Sequence, residues 1–571
     1  MRFMRMIIKS ILYGAALLLP ISMAGGSANA EGDGPASSKT QYAVATANRD
    51  ATDVGMRILA SGGSAADAAV AIQMALGVVE PQSSGLGGGA IALYRVAGDR
   101  QPTAFDGLAR SPASYDPGAS ASAGFSHSGA AVGVPGVLRM LEMMHRRYGK
   151  QPWDTLFQRA IELADTGFSV SPYLSRSLAA ASRAGMAVPD WLMDGTGKVL
   201  AEGATARNPE LAATLREIAT VGANAFYVHL AETIVTAIQN ASLPGRVTIA
   251  DLAGYQAVER EPLCLQLDQR EMCSFPPPSY GGVAVLEMLG ILEKRRTAPS
   301  SFLDLGFVHD FIEAGRLAEA DRMAIVGDPD VRPGNVRGLI DPDYLKARAG
   351  LIREDSALAD PVPAGTPLGA SRPACAQTEQ APGPSTSEVS IVDAFDGALA
   401  MTTTINVNFG AWITTGGFIL NDAMTNFSRP TDGGCPANAP AGSKRAQTAM
   451  APVIATDASG AVVLVGGSAG AGEIVDYVAQ AVLELLSGRA PAEALDDGHI
   501  STARAPYPDS SGVVELEQGR SIAQFAQHLR VLGHRVRIAP LQSGTAFLVR
   551  GQGRWEGAAD PRRDGVFASS P

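Results

Sequence analysis

Apolar positions recur at helical spacing through most of the chain, and strand-like patterns take over towards its end. The segment Ala51–Val79 is helical in pattern, with Ser64 placed as an N-cap after a pair of glycines. Around 259–278 the pattern changes to that of short strands. Further segments with helical spacing are 136–241, 283–292 and 307–322. The hydrophobic pattern of the first part of the chain therefore predicts helices interrupted by one short group of strands.

Residues 353–386 form a stretch in which hydrophobic periodicity vanishes and Pro, Ala, Gly and Ser dominate. A loop of this length inside a compact protein is usually functional or disordered. After it come the strand-like runs "SEVSIVD", "ALAMTTTINV", "GAWITT", "PVIATD" and "AVVLVGG", and then the amphipathic helix "AGEIVDYVAQAVLELLSG". Strands at both ends with helices between them predict one α+β layered unit, whose central sheets use both ends of the chain.

Composition places the chain among folded proteins with an acidic surface. Of the 571 residues, 46% are hydrophobic and 18% are charged, which allows a large core. The net charge is −11, and the charged residues before position 31 are all cationic, so the rest of the chain is more acidic still. Such a surface argues against nucleic acid and anionic membranes as partners.

The first thirty residues have the pattern of an export signal. Basic residues precede the apolar run "ILYGAALLLP", and "ANA" at 28–30 offers a small-x-small cleavage site. An uncleaved membrane anchor is the alternative, but the apolar run is broken by Pro20 and is shorter than the ~20 residues that a spanning helix needs. We therefore predict a signal peptide at 1–30 and a periplasmic or secreted mature protein.

The four cysteines fit an exported protein. Cys264 and Cys273 flank "LQLDQREM", the spacing of two strands joined by a short turn, where opposite side chains approach each other. Cys375 and Cys435 form the remaining pair, both in loops rich in Pro, Gly and Ala. An even count in an oxidising compartment favours two disulfides over free buried thiols. No CxxC or HExxH spacing occurs and the histidines are scattered, so we expect neither a metal nor a cofactor.

A glycine-rich turn, "GLGGG" at Gly85–Gly89, raises the question of a phosphate site, since backbone N–H groups of such turns hold anions. It lacks the Lys-Ser/Thr of a Walker loop, and a helix precedes it while a strand follows, the reverse of a dinucleotide fingerprint. Taken alone, the turn indicates close packing of backbone segments.

A series of motifs closely resembles the gamma-glutamyltransferase family. They are, in chain order, "GGSAADAAVAIQMALGVVEPQSSGLGGGAIALY", "AAVGVPGVLRMLEMMHRRYGKQPW", "TIADLAGYQAVEREPL", "SFPPPSYGG", "STSEVSIVD", "TTTINVNFGAWI", "GFILNDAMTNFS" and "GGSAGAGEI". Each motif is weak alone, but together they are highly specific. The resemblance extends from about Gln41 to Ala559.

The resemblance implies an N-terminal-nucleophile hydrolase fold, four layers in αββα order, made as a precursor that cuts itself once. Aligned on "VSIVD", the cut falls between Ser385 and Thr386, and Thr386 is the nucleophile. The products are a large subunit, 31–385, and a small subunit, 386–571. After the cut, the α-amine of the threonine can take or relay the proton of its own hydroxyl, so one residue supplies nucleophile and base.

The resemblance also implies further catalytic roles. Thr404 matches a second threonine that hydrogen-bonds the nucleophile, and Asn406 matches an asparagine of the substrate site. Gly470 and Ala471 match a Gly-Gly turn whose N–H groups hold the oxyanion. Alanine in the second position still donates its N–H but loses the backbone freedom of glycine. The alternative for the threonine and the asparagine is that they only satisfy nearby backbone groups.

The substrate-binding positions depart from the family. Leu108 stands in the column of the arginine that holds the glutamyl α-carboxylate. Arg110 lies one strand period further on, so it can project from the same face; a solvated surface arginine is the alternative. On the α-amino side, Asn426 replaces an acidic residue and Ala423 replaces a Gln/Glu-type residue. Exchanging a carboxylate for an amide weakens the bond to an ammonium by about 1 kcal/mol or more.

A serine pair that helps to hold the carboxylate is also changed, to Thr448 and Ala449. The catalytic residues are thus kept while the glutamate-binding residues are remodelled. The chain is therefore expected to be a self-processing gamma-glutamyltransferase or glutathione hydrolase that passes the acyl group from a threonine to water or an amine. One alternative is an amidohydrolase (acylase) of the same family with another acyl specificity. The other is an uncleaved, non-catalytic binding homologue.

Overall fold

The computed structural model describes residues 41–121, 124–295, 301–331, 334–369, 385–428, 437–502 and 512–571. These residues form twenty strands: β1 (Ala43–Thr46), β2 (Gly89–Arg95), β3 (Thr103–Gly107), β4 (Phe168–Ser169), β5 (Thr205–Ala206), β6 (Val258–Arg260), β7 (Leu263–Leu267), β8 (Arg270–Ser274), β9 (Ser387–Val392), β10 (Ala398–Thr404), β11 (Thr414–Thr415), β12 (Phe418–Ile419), β13 (Val453–Thr456), β14 (Val462–Ala469), β15 (Ile500–Ser501), β16 (Val513–Glu517), β17 (Arg535–Ala539), β18 (Gly544–Arg550), β19 (Trp555–Ala559) and β20 (Val566–Ser569).

The same residues form fourteen α-helices: α1 (Arg49–Ala60), α2 (Ala65–Val79), α3 (Val137–Tyr148), α4 (Gln158–Thr166), α5 (Pro172–Arg183), α6 (Pro209–Val221), α7 (Ala231–Gln239), α8 (Ile249–Ala253), α9 (Gly281–Arg295), α10 (Leu305–Ile325), α11 (Pro342–Ala349), α12 (Ile474–Leu486), α13 (Pro491–Asp496) and α14 (Ala526–Val531). The predicted N-cap is confirmed, because the Ser64 hydroxyl accepts the N–H of Asp67 and the Asp67 carboxylate accepts the N–H of Ser64.

Two large antiparallel sheets form the centre of the protein. One has seven strands in the order β20-β1-β9-β10-β2-β3-β6, and the other has six in the order β19-β18-β14-β13-β8-β7. The larger sheet combines strands from both ends of the chain, as the sequence predicted, whereas the smaller sheet joins the mid-chain hairpin β7–β8 to strands that follow Thr386. In the larger sheet, β9 pairs with β10 so that Ser387 lies opposite Thr403. Continuing that register by one step places Thr386 opposite Thr404.

Successive side chains on a strand point to opposite faces, so one face of each sheet packs against helices and the other face packs against the second sheet. In β2, Ala90 and Ala92 pack in the core under α1 and α2, whereas Ile91 and Leu93 pack in the core between the sheets. Strands β9 and β10 contact β14, and α9 and α12 cover the outer side of the six-stranded sheet. The order of layers is αββα, which confirms the predicted fold class.

Two predicted strands differ from the structure. The run "ALAMTTTINV" leaves the sheet after Thr404, because Asn406 has a φ of 84°. In "GAWITT" only Thr414–Thr415 is a strand, since Gly410 and Trp412 have φ values of 51° and 61°. The periodicity of a sequence does not reveal residues with a left-handed backbone. Such residues break a strand even where the composition of the segment favours one.

The Cys264–Cys273 disulfide is confirmed: the two residues lie opposite each other in the β7–β8 hairpin and are bonded. Cys375 and Cys435 lie outside the described residues, as does the predicted signal at 1–30. Within the described part of the chain, no helix has both the length and the apolar character needed to cross a membrane.

Candidate active site

The hydroxyl of Thr386 is held at the start of an inner strand. Thr386 is 5% exposed, and its Oγ1 donates to Oγ1 of Thr404 across the β9–β10 pair at 3.0 Å. The backbone N–H of Asn406 donates to the same Thr404 oxygen at 2.8 Å. Thr404 therefore fixes the direction of the Thr386 hydroxyl.

The backbone at Thr386 is held in an unusual conformation. Thr386 has a φ of 89°, a left-handed value that is unfavourable for a β-branched residue. The carbonyl oxygen of Ser385 accepts the N–H of Gly470 at 3.3 Å, and the Ser385 hydroxyl donates to the carbonyl of Gln82 at 3.1 Å. A residue with a strained backbone and a carbonyl that receives a directed N–H thus lie beside the Thr386 hydroxyl.

The turn that supplies this N–H explains why one glycine is kept and the other is not. Gly470 has a φ of 136°, and a Cβ there would lie 3.0 Å from a ring carbon of Tyr477. Both facts favour glycine at this position. Ala471 does not have a positive φ, so an alanine keeps its N–H there without strain.

A small cavity of about 40 Å³ surrounds the Thr386 hydroxyl. Eight of the predicted site residues line it: Thr386, Thr404, Asn406, Asn426, Thr448, Ala449, Gly470 and Ala471. The other described residues that line it are Tyr280, Gln447, Met450, Gly472 and Ile474. No side chain in this described lining carries a charge, so the part that it shows offers neither a cation for a carboxylate nor an anion for an ammonium.

Arg110 does not line this cavity. Its backbone is extended and exchanges two hydrogen bonds with Val134, and its guanidinium carbon lies 5.7 Å from the centre of the Tyr255 ring. Its Nε is buried and has no hydrogen-bond partner among the described residues. Leu108, the neighbour in the family's arginine column, is buried in the core between the sheets.

Asn426 lies in a short 3₁₀ turn, Ala423–Asn426, at the edge of the cavity. Its side-chain Oδ1 is buried and without a hydrogen-bond partner among the described residues. On the other side, the Thr448 hydroxyl accepts the N–H of Met450 at 3.3 Å. The unpaired amide oxygen of Asn426 is thus a neutral acceptor at the position where the family has an acid.

Asn406 is oriented by a buried acid that the sequence did not single out. Its Nδ2 donates to Oγ1 of Thr425 at 2.8 Å and to Oδ1 of Asp422 at 3.2 Å. Asp422 also accepts the N–H of Val407 at 3.1 Å. Burial raises the pKa of the Asp422 carboxyl from 3.8 to about 7, against the smaller lowering effect of these hydrogen bonds. The only signal in the sequence was an acid inside the apolar segment "FILNDAM".

Replacing Asp422 with asparagine should remove a pH dependence of stability. A carboxyl whose pKa is raised in the folded state contributes stability at low pH, and that contribution is lost as the pH rises towards about 7. Relative to Asp422→Asn, the wild type should therefore lose on the order of 1 kcal/mol or more of unfolding free energy between pH 5 and pH 8. Urea unfolding of both proteins at the two pH values measures this. An equal change in both proteins would contradict the raised pKa.

Other residues near Thr386 were also missed. Oε2 of Glu80 accepts the Ser387 hydroxyl at 2.8 Å, and burial raises the pKa of Glu80 to about 7. Arg563 donates to the carbonyl of Thr386 at 2.6 Å. Glu80 was part of a recognised motif without an assigned role, and nothing in "DPRRDG" marked Arg563.

The glycine-rich turn is a packing feature, as its sequence indicated. A Cβ on Gly88 would lie 2.2 Å from the carbonyl oxygen of Thr404, so only glycine allows the turn to approach the end of β10. A larger cavity of about 930 Å³ lies at the opposite end of β9, beside Asp393 and Gly397. It contains none of the predicted site residues.

The fold and the site together define a class of protein. A threonine hydroxyl at the start of an inner strand, in an αββα sandwich, is the arrangement of the N-terminal-nucleophile hydrolases. A family model described as gamma-glutamyltranspeptidase matches residues 51–570. The chain belongs to this family of enzymes.

Relatives within the family include both hydrolases of glutathione and acylases by name. The chain is 30% identical to "Glutathione hydrolase proenzyme" of Bacillus subtilis (strain 168), over 92% of this chain and 90% of that protein. It is 33% identical to "Acylase ACY 1 proenzyme" of Pseudomonas sp. (strain SE83), over 92% of each. The crystal structure of cephalosporin acylase from Bacillus halodurans superposes with a TM-score of 0.80 and 25% identity, over 93% of this chain and 96% of that one.

Proposed function

We propose that this chain is a self-processing gamma-glutamyltransferase or glutathione hydrolase that works through an acyl-enzyme on Thr386. One observation carries the proposal: the Ser385 carbonyl oxygen accepts the N–H of Gly470 beside the oriented Thr386 hydroxyl. In the uncut chain, the Ser385 carbonyl occupies the position that the carbonyl of a substrate takes after the cut. The same hydroxyl and the same N–H serve both reactions.

Self-cleavage proceeds in two steps, an acyl shift and the hydrolysis of an ester. Oγ1 of Thr386 adds to the carbonyl carbon of Ser385, the peptide C–N bond breaks, and the amide nitrogen takes the hydroxyl proton, which leaves an ester and a free amine. Water then hydrolyses the ester to the Ser385 carboxylate and the Thr386 hydroxyl. The products are a large subunit ending at Ser385 and a small subunit, 386–571. Export with removal of residues 1–30 would place the mature large subunit at 31–385 in the periplasm or outside the cell.

Catalysis reuses these groups on a small amide. The free α-amine of Thr386 takes the proton of the hydroxyl, and Oγ1 attacks the carbonyl of the donor. The N–H groups of Gly470 and Ala471 stabilise the oxyanion, and the leaving amine departs with the proton. Water or an acceptor amine then releases the acyl group. Thr404 keeps the nucleophile directed throughout, and Asn406 contacts the acyl chain.

A second candidate is an acylase that takes a donor without an α-ammonium group. The observation that favours it is the uncharged described lining of the cavity, with Asn426 in the place of an acid. The similarity to proteins named as acylases agrees with it. Both candidates share the acyl-enzyme and differ only in the head group of the donor.

Trapping the acyl-enzyme tests the proposal. The processed protein is mixed briefly with a γ-glutamyl or a glutaryl anilide, quenched in acid, and digested for mass spectrometry. We expect the acyl mass on the first residue of the small subunit, Thr386, and no such mass in Thr386→Ala. Turnover with the label on any other residue would contradict the mechanism.

A further inference from the structure

Arg563 contacts the backbone on both sides of the proposed nucleophile. It lies between β19 and β20 and is 6% exposed. Its Nη1 donates to the carbonyl of Thr386 at 2.6 Å, and its Nη2 donates to the carbonyl of Ser385 at 3.5 Å. Its Nε donates to the carbonyl of Ser543 at 3.0 Å, which fixes the plane of the guanidinium.

The charge of Arg563 is directed at carbonyl oxygens. Among the described residues no carboxylate forms an ion pair with it, whereas the adjacent Arg562 pairs with Glu517 and Asp560. The ring of Tyr173 packs on the guanidinium, with its centre 4.7 Å from the guanidinium carbon. A buried arginine without a carboxylate partner is costly. We therefore expect Arg563 to have a role other than stabilising the fold.

We propose that Arg563 positions Thr386 for self-cleavage and afterwards holds the new amino terminus at the catalytic site. The proposal rests on the proposed function, since it takes Thr386 as the nucleophile. In the uncut chain the oxygen of Ser385 gains negative charge as the Thr386 hydroxyl adds to the carbonyl carbon. Gly470 and Arg563 then offer two donors to that oxygen, one a backbone N–H and one a cation.

The contact with Thr386 itself matters after the cut. Cleavage removes the covalent bond on the amino side of Thr386, so the residue could rotate away from Thr404. The bond from Nη1 of Arg563 to the Thr386 carbonyl does not involve the broken peptide, and it keeps the residue in place. A positive charge this close also disfavours the protonated α-amine, so it keeps the amine in the basic form that catalysis requires.

Arg563 brings a permanent positive charge to the surroundings of the new α-amine. The titratable neighbours are Glu80, bonded through Ser387, Glu388 on the same strand, and Asp564 beside Arg563 in the chain. Burial raises the pKa of Glu80 to about 7 and that of Glu388 well above its ordinary value. Loss of the guanidinium should therefore raise the pKa of the amine.

The first test measures the rate of self-cleavage in Arg563→Gln and Arg563→Lys. Purified precursor is followed by denaturing electrophoresis with time. We expect Arg563→Gln to cleave at least about tenfold more slowly than the wild type, and Arg563→Lys to recover part of the loss because it keeps the charge. The control is Arg348→Gln, which removes an equally buried arginine that pairs with Asp321 and also donates to the carbonyls of Leu317 and Pro363. It should cleave at the wild-type rate even if its melting temperature falls.

Cleavage of Arg563→Gln within twofold of the wild type would overturn the proposal. If Arg563→Gln fails to fold, Arg563→Ala takes its place under the same criterion, measured on protein with a cooperative melting transition. Chemical rescue gives an independent test. Methylguanidinium should speed the cleavage of Arg563→Ala, and an equal concentration of tetramethylammonium, a cation that cannot donate hydrogen bonds, should not. An equal effect of both cations would count against a guanidinium-specific role.

The second test is the pH profile of the processed enzyme. The test uses Arg563→Gln that has cleaved on long incubation. The acid limb of its kcat/KM profile should lie about one pH unit higher than that of the wild type, because the α-amine is easier to protonate without the guanidinium. Arg563→Lys should keep the wild-type limb, and an unmoved limb in Arg563→Gln would refute the role after cleavage. A wild-type chain that stays uncut, or is cut elsewhere, would instead defeat the proposed function itself.

Discussion

Replacing Thr386 with alanine should leave the chain in one piece and abolish activity. Its Oγ1 is the hydroxyl held by Thr404 beside the Ser385 carbonyl, and alanine has no nucleophile for either reaction. The wild type should separate on a denaturing gel, after reduction, into residues 31–385 and 386–571. Sequencing should find Thr386 as the first residue of the smaller piece.

Two variants control this experiment. Thr386→Ser keeps a hydroxyl and should still cleave, whereas Thr404→Ala keeps the nucleophile but removes the oxygen that orients it and should cleave slowly. Cleavage of Thr386→Ala, or a small subunit that begins at another residue, would show that the nucleophile is assigned wrongly. A single uncut wild-type chain would favour the non-catalytic binding homologue instead.

Those residues that belong to contiguous motifs were predictable from the sequence. Thr386 directly precedes β9 and Thr404 ends the adjacent β10, so the antiparallel register alone brings them together. The Gly470–Ala471 turn follows directly from β14, whose length carries it to the same end of the sandwich. In these cases local pattern and family spacing fix the position of the side chain, and the cavity around Thr386 contains all four residues.

Contacts across the whole chain were not predictable. Arg563 bonds to a residue 177 positions away, and Ser385 bonds to Gln82 across 303 positions. Neither pairing has a periodic pattern or a spacing that a single sequence could reveal. Arg110 is a different case: its strand period was the reason to expect it near the substrate, but its guanidinium packs towards Tyr255, and it is not among the described residues that line the cavity.

Donor specificity should differ from that of a glutamate-specific enzyme. A γ-glutamyl head is a zwitterion and needs a cation for its carboxylate and an anion for its ammonium. The described lining of the cavity offers neither, and Asn426 presents a neutral amide in the place of the acid. A glutaryl donor lacks the ammonium and loses nothing from this change. We therefore expect a small preference for γ-glutamyl over glutaryl anilide, measured as the ratio of kcat/KM values.

Restoring the acid tests the same argument in reverse. Asn426→Asp should increase kcat/KM for the γ-glutamyl anilide by roughly tenfold, because a charge-assisted hydrogen bond replaces a neutral one. The glutaryl anilide serves as the internal control, and its kcat/KM should stay level or fall, since a new buried carboxylate gains no partner from it. A wild-type preference for the γ-glutamyl donor of several hundred-fold, about 3–4 kcal/mol, would mean that another residue binds the ammonium. In that case the exchange at position 426 has been compensated elsewhere in the site, and the chain recognises the γ-glutamyl head group in spite of it.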